Sequence, residues 1–322
     1  MSFSPERRFK SSLLVFALAS VLALLVSFSR NEWISVLFSY SVLLGSAYLV
    51  YAQSAFMTLV GFKPSPNIRQ IVFISFYFLI ILIQRTAIKW FSGGEWGDAI
   101  TASFIILIIA LCERYSLRSF GLTIRNFGRQ ILGSTISIAT FWGCFILAGI
   151  FGPIIMGARV MGFGMSFPAL DMDLLFSLLY LVLVSFASEI FFRGYIQTKI
   201  KGLFGTPVSI IIQAILFMLF NVTTLIWIWH PVGIGETWML LLQWFLFGIA
   251  LGLLFKASGS LVVTTLTSLF IRLFLFGGSL VPIAQTSSGV YALPFSEIWS
   301  LLLANIVLMI YIATTKTKDN IE

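Results

Sequence analysis

The chain has 322 residues, 59% of them hydrophobic and only 10% charged, where a soluble domain carries about a quarter charged residues. No soluble core of this size hides that much apolar surface, so lipid rather than water is the expected solvent. The net charge of +8 does not point to nucleic acid, because Lys and Arg fall in short clusters between apolar runs and read as topology signals.

At roughly 20 apolar residues per crossing, the sequence predicts ten helices, over 11–29, 33–57, 70–88, 98–113, 130–156, 173–192, 207–229, 237–256, 260–276 and 297–315. The third carries Arg85 near its end and the ninth contains Arg272, so the expected count is eight to ten. The fold class expected is all-α, a polytopic transmembrane helical bundle. The first apolar run follows Arg7, Arg8 and Lys10 as a signal peptide's would, but no small-residue cleavage site precedes the next span, and a retained signal anchor is the expectation. With a cytoplasmic amino terminus, fifteen of the 20 basic residues fall on the cytoplasmic side. Arg30, Arg85, Lys89 and Arg159 fall on the other, and Arg272 lies within a span. That bias predicts both termini inside a prokaryotic plasma membrane.

The loops near 84–97, 157–172 and 277–296 are too short for a soluble domain. Ser119–Gln130, with Arg125 and Arg129, reads as a basic amphipathic connector on the cytoplasmic face or as a charged topology loop. Cys112 and Cys144 lack CxxC spacing and are expected to be small packing residues rather than a disulfide or metal site. The spacing Gly248-x-x-x-Gly252 suits close helix approach, within this bundle or between protomers.

A charge at membrane depth is costly, which singles out Glu189. It closes the apolar run 174–187 and stands four residues before Arg193, so the two side chains share a helix face. An ion pair that locks the helix is one reading and a functional carboxylate the other. The string Ser188-Glu189-Ile190-Phe191-Phe192-Arg193-Gly194-Tyr195-Ile196-Gln197 resembles the first motif of the CAAX-protease and bacteriocin-processing (CPBP, Abi) family of intramembrane endopeptidases. That motif has two adjacent glutamates, an arginine four residues on, and then glycine. Further along, Phe217 opens a Phe-x-x-x-His-like stretch, Gly248 and Gly252 fall in the next helix, and Gly259-Ser260-Leu261 begins the segment of the last motif. The resemblance covers residues 119–272. It divides the chain into unassigned membrane helices over 1–113, a protease-like core over 114–276, and an outer loop with a final helix over 277–322.

The resemblance implies a glutamate that activates water against a peptide bond, aided by two histidines and an asparagine from later helices, as base catalysis and oxyanion stabilisation require. Here the first glutamate position is Ser188, the two histidine positions are Asn221 and Ser268, and the asparagine position is Arg272. Glu189 and Arg193 are the motif residues retained. The chain has one histidine, His230, so a two-histidine site cannot be built within one molecule. His230 precedes Pro231 near Trp227 and Trp229, where an interfacial belt is expected. Glu189 does not replace its missing neighbour, since adjacent helical residues point about 100° apart. Ser188 has no lysine at helical spacing to activate it as a nucleophile. No metal motif, Walker loop or dinucleotide fingerprint is present, and no cofactor is expected.

The leading expectation is a catalytically degenerate CAAX-protease-like membrane protein, a scaffold or regulator that binds a membrane or cell-envelope partner. The alternatives are a divergent endopeptidase using Glu189, Asn221 and Ser268, and a transporter or channel drawing on Glu189 and Arg272 as intramembrane charges. The last lacks an inverted repeat.

Overall fold

The computed structural model describes residues 69–92, 127–155, 159–165, 172–228, 234–275, 280–286, 289–291 and 294–319, with isolated positions between 21 and 105. The expected spans at 11–29, 33–57 and 98–113 lie outside these residues save for isolated helical positions, and His230 and Cys112 lie outside them too. The helices are α1 (Arg69–Ser92), α2 (Phe127–Ile155), α3 (Met172–Glu189), α4 (Thr198–Phe204), α5 (Thr206–Ile228), α6 (Ile234–Ser258), α7 (Leu261–Phe270) and α8 (Pro294–Asp319). Two π-helical segments, Ile190–Gln197 and Ile271–Leu275, follow α3 and α7.

Among the described residues six helices are long and apolar enough to cross a membrane, because in hydrocarbon a helix satisfies its own backbone groups. The protein is therefore a polytopic membrane helical bundle. Two helices differ from the sequence reading. The predicted sixth span ends at 192, but the helix continues through the π-helical segment and α4 to Phe204. Arg193 and Lys199, which read as the membrane edge, are only 0% and 2% exposed. Their charges are accommodated within the helix and do not end it. The chain turns at Gly205, whose φ of +81° is open to glycine at little cost and whose N–H donates to the Lys201 carbonyl at 3.1 Å. The predicted ninth span is instead a shorter apolar stretch, Leu261–Leu273, well under the roughly 20 residues of a full crossing.

The chain forms two compact units, 1–120 with 182–205 and 121–181 with 206–322. In the first, the described elements are α1, the end of α3, the π-helical segment after it, and α4. Tyr77 of α1 meets Tyr195 edge to face at 6.4 Å, and Tyr195 stacks on Phe191 at 6.1 Å. Tyr77 and Tyr195 are buried, whereas Phe73 and Phe76 on the same helix are exposed and suit contact with lipid. Arg85 is buried within α1.

In the second unit α6 packs against α5, α7 and α8, while α2 packs against α7 and α8. The α5–α6 contact depends on Gly248. A Cβ there would sit 2.9 Å from the Ala214 Cα, so only glycine permits this approach. Gln213 uses it to donate its Nε2 to the Gly248 carbonyl at 2.7 Å, and Asn305 of α8 donates to the Leu246 carbonyl at 3.1 Å. Both amides are buried. Each draws on a carbonyl's second lone pair, which the α-helical ladder leaves available.

Two of the loops read from the sequence carry a small antiparallel sheet, of order β1-β2-β3, over Arg159–Met165, Leu280–Thr286 and Gly289–Tyr291. Residues 159 and 164 of β1 face 285 and 281 of β2, and the register shifts between Val160 and Gly162. β3 pairs only with Ala284–Thr286. Pro282, which has no N–H, therefore has a strand neighbour on one side only, where a proline is tolerated. Pairing lets these segments satisfy backbone groups that no helix covers, a long-range outcome without a local pattern to announce it.

Candidate functional site

The first unit places the retained motif residues at the junction of α3 and its π-helical continuation. Arg193 Nη1 lies 3.1 Å from Glu189 Oε1, and both side chains are 0% exposed. The helical spacing read from the sequence thus becomes an ion pair sealed from solvent. The Arg193 guanidinium also lies 5.9 Å from the Phe192 ring centroid. All eight residues of Ile190–Gln197 are buried, so this helix is surrounded by protein rather than lipid at the motif. The Thr198 hydroxyl donates to the Arg193 carbonyl at 3.2 Å, five residues back. Such π-helical turns occur mostly as single insertions at functional positions, and this one begins immediately after Glu189.

Ser188, which the sequence resemblance aligns with a glutamate, donates its hydroxyl to the Ser185 carbonyl at 3.0 Å and is buried. The side chain is held by its own helix, an arrangement common for serine in membrane helices. Lys199 donates to the Tyr195 hydroxyl at 3.0 Å and lies 4.3 Å from that ring's centroid. Sequence reasoning placed Lys199 in a cytoplasmic loop. Its spacing of four from Tyr195 was the available signal, and it meant nothing while the helix was taken to end at 192.

The second unit holds the remaining motif positions, and they gather there. Arg272 donates its Nε to the Ser268 hydroxyl at 3.4 Å. Its guanidinium carbon lies 5.8 Å from the Phe217 ring and 5.9 Å from the Phe247 ring, and those rings meet edge to face at 5.9 Å. Asn221, one turn beyond Phe217, donates to the Phe217 carbonyl at 2.8 Å. Phe217, Asn221, Phe247, Ser268 and Arg272 thus form one chain of contacts across α5, α6, α7 and the second π-helical segment. A cation that faces two aromatic rings is attracted to both, so Arg272 is seated by the bundle. Gln213 and Asn305 escaped the sequence reading, although a primary amide inside an apolar run is itself a signal of an interhelical hydrogen bond.

Among the described residues no three His, Cys, Asp or Glu side chains gather as a metal site would require. Cys144 is a buried free thiol in α2.

Fold and composition together define an integral, multi-pass α-helical membrane protein. A family model described as type II CAAX prenyl endopeptidase Rce1-like matches residues 168–274, about a third of the chain, and that stretch takes in every motif position named above, so the match supports the resemblance to the CAAX-protease-like family. The stretch 119–167, included in the resemblance read from the sequence, lies outside the match. No curated protein matches the chain.

Proposed function

We propose that this protein is a catalytically degenerate CAAX-protease-like membrane protein that serves as a scaffold or regulator for a membrane or cell-envelope partner. The observation that carries the reading is the Glu189–Arg193 pair, 3.1 Å apart with both side chains fully buried. A carboxylate held by a guanidinium and closed to water is badly placed to activate a water molecule. Four substitutions support the same reading. Ser188 stands where the family has its first glutamate and is occupied by its own helix backbone. Asn221 stands at a histidine position and is bonded to the Phe217 carbonyl. Arg272, at the asparagine position, holds Ser268, at the other histidine position. Neither the Asn221 amide nor the Ser268 hydroxyl takes up a proton near neutral pH, so neither replaces a histidine base.

The direct test incubates the purified full chain in detergent or liposomes with membrane peptides, including prenylated carboxy-terminal peptides. No cleavage is expected. Cleavage that is lost in Glu189→Gln, with the variant still folded, would replace this reading by an active divergent endopeptidase. That second reading draws on the π-helical segment that begins at the motif, since such segments favour functional positions.

Partner binding is tested by crosslinking in native membranes. A partner captured by the wild type and lost in a folded Glu189→Leu/Arg193→Met double variant would place binding at the motif. A partner retained by that variant would move it elsewhere on the bundle.

A further inference from the structure

The second unit contains a groove of about 660 Å³ between α2, α6, α7 and α8, within the size range of small-molecule sites. Neither Glu189 nor Arg193 lines it, nor do Ser188, Asn221, Ser268 or Arg272. Arg129 near the start of α2, Ser260 before α7 and Tyr311 towards the end of α8 give it a polar end, Ser137 and Thr140 add hydroxyls further along α2, and Phe141, Val263 and Leu308 contribute to an apolar wall. Arg129 and Phe141 are twelve residues apart on one helix, which is about 18 Å. The groove is therefore long enough to take the first part of an acyl chain below a headgroup.

The polar end has an unfilled hydrogen-bonding capacity. Ser260 occupies the N-cap position of α7, where a serine side chain ordinarily accepts from the first turn, yet it makes no such bond. Its hydroxyl has no hydrogen-bond partner and the residue is 6% exposed. Its neighbours are satisfied. The Ser258 hydroxyl donates to the Leu254 carbonyl at 2.8 Å and lies 3.3 Å from the Ser260 N–H, and the Gly259 N–H donates to the Phe255 carbonyl at 2.8 Å. The Thr264 N–H, at 3.4 Å from the Ser260 carbonyl, makes the first bond of α7. A helix start with an uncapped first turn and a buried free hydroxyl favours an anionic oxygen, and Arg129 adds a cation at the rim. Apolar walls alone would admit any hydrocarbon, and an anion site alone would admit free phosphate. A molecule that meets both demands, and that surrounds a membrane bundle, is an anionic phospholipid.

We propose that the groove between α2, α6, α7 and α8 binds one anionic phospholipid, its headgroup phosphate at Ser260 and the α7 amino terminus beside Arg129, its acyl chain along Phe141 and Leu308. The site is independent of whether the motif residues retain chemistry.

The test is native mass spectrometry of the purified full chain, titrated in detergent with palmitoyl-oleoyl phosphatidylglycerol or with the phosphatidylcholine of the same chains. One phosphatidylglycerol is expected to be retained in preference to phosphatidylcholine. Arg129→Gln is expected to weaken retention about fivefold, the effect of one basic residue near an anionic lipid surface. Ser260→Ala weakens it further, and Ser137→Trp, which fills the groove from α2, abolishes it. Thr135→Trp, on an exposed part of the same helix outside the groove, leaves it unchanged. The proposal is overturned if both lipids are retained equally, if folded Ser137→Trp binds as the wild type does, or if excess inorganic phosphate displaces the lipid. Should Ser137→Trp fail to fold, unchanged retention in both Arg129→Gln and Ser260→Ala overturns it equally.

Discussion

Removing one member of the Glu189–Arg193 pair should harm the protein far more than removing both. At 3.1 Å and an effective dielectric constant of about 20, two unit charges attract by about 5 kcal/mol. Desolvating two ions costs several kcal/mol each, so the pair as a whole adds little stability over well-packed apolar side chains of similar volume. A single substitution is different, because it leaves one charge buried without its counterion, at a cost of about 3–5 kcal/mol. Glu189→Leu and Arg193→Met are each expected to lose about that much. The double variant should return to within about 1 kcal/mol of the wild type or exceed it. Equilibrium unfolding of the three variants and the wild type in mixed detergent micelles measures the cycle, with the coupling given by the failure of additivity. Additive losses, or a Glu189→Leu variant as stable as the wild type, would refute the buried pair and reopen Glu189 as an available carboxylate.

Other consequences follow from the packing and topology. Gly248→Ala is expected to destabilise by about 1–3 kcal/mol, the usual cost of overpacking, because its Cβ would collide with the Ala214 backbone. Gly128→Ala on α2, where no atom lies within 4 Å, should be neutral or stabilising in the same melting assay. Gln213→Leu and Asn305→Leu each remove one interhelical hydrogen bond and should cost about 0.6 kcal/mol apiece, the average for such bonds in a membrane bundle; losses several times larger would assign the amides another role. For orientation, a fluorescent-protein fusion at Lys318 is expected to fluoresce and an alkaline phosphatase fusion at the same site to be inactive, whereas the opposite pattern would reverse the cytoplasmic assignment of the carboxy terminus.

Much of the architecture was legible in the sequence because lipid imposes a simple rule: a crossing segment must be apolar, long and helical. The spans at 130–156, 207–229, 237–256 and 297–315 meet helices whose ends lie within a few residues of those predicted. The same rule misplaced the end of the sixth span, since it treats Arg193 and Lys199 as membrane-edge charges; the spacings to Glu189 and Tyr195 are in the sequence, but the burial and the continued helix that make them partners are not.

By itself the sequence determined the solvent, the helical class and that one molecule holds a single histidine, because composition, span length and a histidine count of one are properties of the chain alone. The pairing of Glu189 with Arg193 was available as a spacing, but its seclusion was not. Burial depends on what packs around a helix, and only the tertiary structure brings those residues together. The seat of Arg272 over Phe217 and Phe247, the contact permitted by Gly248, and the groove with the free hydroxyl of Ser260 are likewise meetings of distant segments. Side chains 25 or more residues apart carry no local pattern that announces such contacts, so three-dimensional packing had to decide them.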